Sequence, residues 1–293
     1  MNKTTIALLT AAALGTSGLA AAQTDGPNFS GRIDIEFRDV DGTATDGVNG
    51  VNRSSKLAVS GGSDDAVAGL STFYYARVAL RENGNGNGNT TDYAYTGFEG
   101  DFGRLSFGVD DDIVYKYVGA YTDVYRGIGP STDAVYSTGY GFGQEPSVQY
   151  SIDTDGFSAA AYVDTGVNGI DRTQLAGSVD FGAASVGAAF ADSDAGDSEV
   201  ALGGSVDVGM ASLRATYFDR ANDTKPVHFA AVAPLNDVFT ATVGYGMLDN
   251  AADDDEINAM LMANLGGGLD LTLSARGSDA AGDAVSVGGR YSF

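Results

Sequence analysis

Side chains able to do chemistry are unevenly represented in this chain: 39 Asp and Glu stand against 16 Lys and Arg, with a single His and no Cys. Nucleophilic catalysis needs a base beside a nucleophile. The one imidazole, His228, sits in Val227-His228-Phe229-Ala230 with no nucleophile motif next to it. The acidic runs Asp192-Ser193-Asp194 and Asp253-Asp254-Asp255-Glu256 offer oxygen ligands suited at most to loosely bound Ca²⁺. Neither has the spacing of an EF-hand loop, with its sixth-position Gly and twelfth-position Glu. No phosphate-cradling glycine loop followed by Lys-Ser/Thr is present, and the Gly-Gly-x-Gly-x-Asp repeat of a calcium β-roll is absent. The sequence therefore points to no catalytic group, metal ligand set or cofactor. What it does offer is the chemistry of fixed charges, and that depends on which way the charges face.

Strands set that direction. From Phe29 to Phe293 the chain breaks into short segments of period two separated by Gly, Asp and Asn clusters, with no sustained 3.6-residue period. In Val285-Ser286-Val287-Gly288-Gly289-Arg290-Tyr291-Ser292-Phe293 one face carries Val285, Val287, Tyr291 and Phe293, and the other carries Ser286, Arg290 and Ser292. Ile33 to Phe37, Leu105 to Val109 and Leu269 to Ala275 alternate in the same way. A dry core does not tolerate so many charged positions, because an unpaired buried charge costs several kcal/mol. An apolar outside around a wet inside removes the conflict, and this is the arrangement of a transmembrane β-barrel. Parity then sends Arg32 inward if Ile33, Ile35 and Phe37 face lipid. It places Lys56 inward opposite Leu57 and Val59, Arg77 and Arg81 inward on the third strand, and Arg290 inward on the last. A soluble sheet with one solvated face alternates identically, so a secreted acidic β-rich protein, Ca²⁺-binding or surface-structural, is the alternative.

The remaining features favour the barrel. Met1-Asn2-Lys3, the apolar run Ile6 to Leu19 and Ala20-Ala21-Ala22 before Gln23 have the layout of a cleavable export signal, giving a signal peptide at 1–22 and one β-barrel domain at 23–293. Beyond Leu19 no window approaches the ~18–20 apolar residues of a spanning helix. Removal of Lys3 with the signal takes the formal charge from −23 to −24, which excludes nucleic acid as a partner. Candidate strands at 29–39, 52–60, 69–81, 92–99, 103–110, 147–152, 157–163, 172–181, 184–192, 198–207, 211–220, 226–233, 238–248, 255–264, 269–277 and 284–293 number about sixteen, enough to enclose an aqueous channel. Connections alternate between short turns such as 99–103 and 153–156 and longer stretches such as 82–91 and 251–254. Aromatics recur at strand ends, as interfacial girdles require. Asp110 to Pro146 shows no convincing strand, yet it contains Tyr115, Tyr117, Tyr121, Tyr125, Tyr136 and Tyr140. A run this long and this aromatic is expected to pack against something, most simply the inner wall.

The succession of Phe98-Glu99-Gly100-Asp101-Phe102-Gly103-Arg104-Leu105-Ser106-Phe107-Gly108, an acidic loop, and Pro146-Ser147-Val148-Gln149-Tyr150-Ser151 resembles the general diffusion porins of Gram-negative bacteria, particularly the alphaproteobacterial type. The likeness runs from Phe29-Ser30-Gly31 to Tyr291-Ser292-Phe293. It implies an all-β, sixteen-stranded antiparallel barrel in the outer membrane, reached through the periplasm, trimeric, with its third external loop folded inward as a constriction. It also implies passive diffusion of small hydrophilic solutes and ions, contact with outer-membrane lipid and lipopolysaccharide, and presentation of Phe293 to the barrel assembly machinery. The family sets acidic loop residues against basic side chains on the facing wall. Here that assigns Arg32, Lys56, Arg77, Arg81 and Arg290 to the wall and Asp110, Asp111, Asp112 and Asp123 to the loop. The acidic balance of the whole chain predicts weak cation selectivity.

Overall fold

The computed structural model describes residues 27–41, 48–67, 70–80, 90–128, 146–166, 169–193, 198–220, 223–247, 249, 255–278 and 282–293. The expected signal peptide lies outside these residues, as do Arg81, Asp194, Asp253 and Asp254.

Seventeen strands make a single sheet: β1 (Asn28–Val40), β2 (Asn49–Asn52), β3 (Lys56–Val67), β4 (Leu70–Ala79), β5 (Thr90–Gly100), β6 (Gly103–Val109), β7 (Ser147–Thr154), β8 (Phe157–Gly166), β9 (Gly169–Asp180), β10 (Ala184–Ser193), β11 (Glu199–Val208), β12 (Ala211–Asp219), β13 (Val227–Pro234), β14 (Phe239–Met247), β15 (Asp255–Asn264), β16 (Leu269–Ser278) and β17 (Ala284–Ser292). From β3 to β17 each strand pairs antiparallel with the next, and β17 returns to β1. β2 and β3 both pair with β1, β2 along Ile35–Arg38 and β3 along Asn28–Arg32, so the two share one position in the ring. The result is a closed, sixteen-stranded antiparallel barrel. Closure leaves no free sheet edge, so backbone N–H and C=O groups are satisfied within the wall, as hydrocarbon surroundings demand. The seam is finished at the C-terminus, where Gly31 donates to the Phe293 carbonyl at 2.8 Å and Phe293 donates back at 3.0 Å.

Polarity is inverted relative to a soluble sheet. Ile33, Phe37, Leu175, Val186, Ile257, Leu273, Val285 and Val287 are each more than half exposed on the outer face. Gln174, Thr216, Thr242, Asn258, Ser274 and Ser286 are buried on the inner one. The alternation predicted from sequence is clear in strands such as β10, β15, β16 and β17, where a one-residue slip would turn the charges toward lipid, while β4 shows none in its exposure. Short turns lie on the rim shared with both barrel ends of the chain, as at Gly100–Gly103, where Gly103 has φ +107°.

The second predicted strand, 52–60, differs from what forms. Residues 53–55 interrupt it, and beyond Ser60 pairing continues through Gly61, Gly62 and Ser63 against Tyr74, Phe73 and Thr72. The Gly-Gly-Ser-Asp composition has the signature of a turn, but Gly61 serves instead as floor for the Tyr74 ring, whose hydroxyl occupies the space a Cβ would need.

Candidate functional site

Of the run from Asp110 to Pro146 expected to pack on the inner wall, residues 129–145, with Tyr136 and Tyr140, lie outside the described residues; residues 110–128 carry the short helix α1 (Ile113–Tyr117) and a following 3-10 turn at Gly119–Tyr121. Asp112 caps α1, accepting from the Tyr115 N–H at 2.8 Å. Ile113 N–H donates to Gln174 of β9 at 3.1 Å, and the Gln149 side chain of β7 donates to the Asp111 carbonyl at 2.8 Å. Val114 and Val118 pack with Ala189, Ala191, Ala201 and Phe218 in one of the small apolar clusters among the described residues. The inner wall is carved to receive them: a Cβ on Gly187 would strike the Tyr117 carbonyl, and one on Gly203 would strike Tyr121 and Val118. Further along, Thr122 and Thr216 hydroxyls share a hydrogen bond at 3.0 Å. Arg126 N–H donates to the Met260 sulfur at 3.1 Å, and Ile128 N–H donates to Ser274 at 2.8 Å. The Arg126 guanidinium pairs with Asp270. Residues 110–128 therefore follow the inner faces of β7 to β16, leaving β1 to β5 and β17 facing them across open space.

That facing wall is basic. Arg77 of β4 grips Asp92 of β5 through Nε at 2.9 Å and Nη2 at 2.7 Å while lying 3.7 Å over the Tyr93 ring. Arg290 of β17 donates to Asp34 of β1 at 2.9 and 2.6 Å. The interruption between β2 and β3 has a local use: Ser54 donates to Asp34 at 2.6 Å, Arg53 reaches Glu36 at 3.4 Å, and the Ser54 carbonyl accepts from Arg32 Nε at 2.8 Å. From the segment, Asp111 reaches the wall and accepts from the Tyr93 hydroxyl of β5, whereas Asp123 stays on the segment and accepts from the Tyr115 hydroxyl at 2.5 Å. Burial pushes the Asp111 carboxyl above its ordinary pKa, the Tyr93 hydrogen bond opposes this, and the adjacent Asp110 adds to it.

Wall and segment enclose a cavity of about 730 Å³. Of the residues assigned from sequence, Arg32, Lys56, Arg77 and Arg290 line it from the wall, and Asp111 and Asp123 line it from the segment. Asp110 and Asp112 do not. Asp110 pairs with Lys116 at 2.6 Å on a second cavity of about 560 Å³. Asp112 is 3% exposed and committed to the helix cap, with burial pushing its carboxyl pKa up, so its expected place as a lumen carboxylate is corrected to a structural one. Arg53, Asp92, Tyr93, Tyr115, Tyr125, Arg126 and Arg214 also line the first cavity without having been assigned from sequence. Arg214 was within reach of the same parity rule, since Leu213 is outward. Arg53 was not, because it lies where the alternation breaks. In sum the lining holds seven basic side chains against three carboxylates, Asp92, Asp111 and Asp123. The local sign is opposite to the chain's −23. His228 is fully buried in the β13 wall with Tyr125 of the segment 6.1 Å away, ring centre to ring centre.

Solved structures of the same architecture come from several bacteria. The anion-selective porin of Comamonas acidovorans has 20% identity and a TM-score of 0.75, over 92% of this chain and 99% of that one. OmpT, an outer membrane protein of Vibrio cholerae, has 15% identity and a TM-score of 0.74, over 94% and 100%. OmpF of Salmonella typhi, solved with daunomycin, has 15% identity and a TM-score of 0.70, over 91% and 97%. At these identities the likeness carries the fold alone. No curated protein sequence matches the chain. The family model described as Gram-negative porin matches residues 7–293. With that match spanning a closed barrel that is apolar outside and charged within, the chain belongs to the Gram-negative porin family of the outer membrane.

Proposed function

We propose that the chain is a passive, water-filled channel for small hydrophilic solutes, narrowed where residues 110–128 face the basic wall. The observation carrying this reading is the polar, charged cavity of about 730 Å³ enclosed by the barrel's own inward segment. A lumen lined by guanidinium groups, carboxylates and tyrosine hydroxyls stays hydrated. A solute crossing it must exchange its water for those groups, which apolar molecules cannot do. Separated basic and acidic sides give a transverse field that orients dipolar solutes. No bond-making step belongs to this reading.

The acidic balance of the whole chain favours cations. The narrow zone favours anions, and it governs there, because remote rim charges are screened over a Debye length of about 8 Å at physiological salt. Reconstitution into planar bilayers tests the channel itself. Stepwise ohmic currents from protein whose migration on SDS gels is heat-modifiable support it, and folded protein that opens no steps refutes it.

A homotrimer fits the outer surface. Among the described residues, the exposed large apolar side chains of β3 to β5 are Leu57 and Phe98. Val59 and Val78 share the outward face but are buried, and the other outward positions are mostly small or hydroxylic, including Gly61, Ser63, Thr72, Ala76, Ala94 and Thr96. Such a face gains little from acyl chains and suits close approach of another wall. The Tyr74 hydroxyl is buried here with no hydrogen-bond partner among the described residues. Cross-linking in native membranes followed by mass determination checks the subunit number; a monomer throughout rejects it. Assembly through Phe293 accords with its place at the barrel seam.

A further inference from the structure

We infer that the basic wall is a binding site for a small doubly charged oxyanion, either free phosphate or the terminal group of a phosphomonoester; this deepens the channel reading and rests on it. The cations are not all matched. Arg77, Arg290 and Arg53 hold Asp92, Asp34 and Glu36, and Arg126 holds Asp270. Among the described residues Arg32, Lys56 and Arg214 have no carboxylate within the 4.0 Å that defines an ion pair. Arg32 spends its Nε on a backbone carbonyl, leaving the rest of its fork without a charged acceptor. Arg32 shares its cavity with Arg290, Arg77 and Arg53, Asp34 being the main opposing charge beside it. Lys56 stands among Arg77, Arg32 and Arg290, with Asp92 the main opposing charge.

Like charges held this close repel one another unless an anion joins them. Among the described residues, Asp34, Glu36 and Asp92 are engaged by other cations and Asp111 and Asp123 by tyrosine hydroxyls, so an anion from solution is what would join Arg32 to Lys56. Counting the carboxylates behind the lining, Asp34, Glu36 and Asp270, still leaves the zone basic. A guanidinium fork suits two oxygens of one tetrahedral anion, and an adjacent ammonium suits a third. The Asp111 carboxylate is tied to the wall by the Tyr93 hydroxyl and Asp123 is tied within the segment by the Tyr115 hydroxyl, and neither is ion-paired with Arg32 or Lys56. The solute would therefore meet acceptors on one flank and a basic cradle on the other, with room to leave.

The test is planar-bilayer recording of the full-length protein in KCl, with inorganic phosphate added at constant ionic strength. Wild type should show reversal potentials favouring chloride, and its chloride current should fall as phosphate rises. The double variant Arg32→Gln, Lys56→Gln should need about a hundredfold more phosphate for the same block, the loss of at least two charge-assisted hydrogen bonds. Arg32→Lys, which keeps the charge, should retain most of the block. Glucose 6-phosphate tested against glucose separates the sources: block by both phosphates assigns the site to the shared group, and block by inorganic phosphate alone restricts it to the free ion. Open channels that prefer potassium, or that ignore phosphate in wild type, overturn the inference and leave the porin reading intact. Heat-modifiable protein that forms no channels overturns both.

Discussion

Val118→Asp tests whether the 110–128 segment sets the width of the lumen. Val118 is fully buried on the inner wall against Ala189, Ala201 and Phe218, and a buried valine contributes about 1.5–3 kcal/mol. The substitution removes that and places a carboxylate among methyl groups, which costs several kcal/mol more whether the group stays charged or is neutralised. The combined effect is on the order of 5 kcal/mol, a factor of several thousand in the ratio of docked to displaced segment. The strands are untouched, since their pairing runs through backbone atoms and Val118 belongs to none of them. The variant should migrate as a heat-modifiable barrel just as the wild type should, yet conduct more per channel and with greater current noise. Val118→Ala, which keeps the surroundings apolar at a cost of about 2 kcal/mol, should stay near wild type. If Val118→Asp yields folded channels of unchanged conductance and noise, the segment does not limit the passage and the constriction is elsewhere.

Further expectations concern individual groups. Asp111 has a raised pKa, so it loses its charge at a higher pH than an ordinary carboxylate does. Lowering the pH should therefore make the lining more basic before ordinary carboxylates are protonated and move the reversal potential further toward anions, and Asp111→Asn should remove most of that early shift. Asp112→Ala should leave selectivity unaltered while loosening the segment by about 1 kcal/mol, read as added current noise, because its carboxylate caps a helix and does not line the lumen. Asp270→Asn should free Arg126 and add a mobile cation, giving noisier but still anion-favouring channels; a shift toward cations contradicts the pairing. Gly31→Val should lower the temperature of heat-modified migration, because the ring of Phe293 and the side chain of Leu57 fill the space a Cβ would take at the seam, and overpacking costs about 1–3 kcal/mol.

Strand direction and polarity were legible residue by residue. Alternation with period two dictates which side chains share a face, so Arg32, Lys56, Arg77 and Arg290 could be sent inward before any coordinates, and all four line one cavity. The same rule contained Arg214. Arg53 escaped it because residues 53–55 leave the strand, and parity has no meaning where pairing stops. The Asp110-Asp111-Asp112 run shows the limit from the other side. Three identical neighbours have three fates, an ion pair with Lys116, a hydrogen bond from Tyr93 and a helix cap, because a loop turns each side chain by its own local geometry.

Period and parity determined the strands and the side of the wall on which each strand charge stands, since these follow from backbone geometry common to all strands, and the strand count with the export signal favoured closing them into a barrel. The sign of the charge lining the cavity between the segment and the wall was decided only by the tertiary arrangement. Net charge adds every residue with equal weight, whereas the field in a gap is dominated by the few groups within a screening length. Which groups those are depends on ring closure bringing β17 beside β1, on the break between β2 and β3, and on where the internal segment crosses.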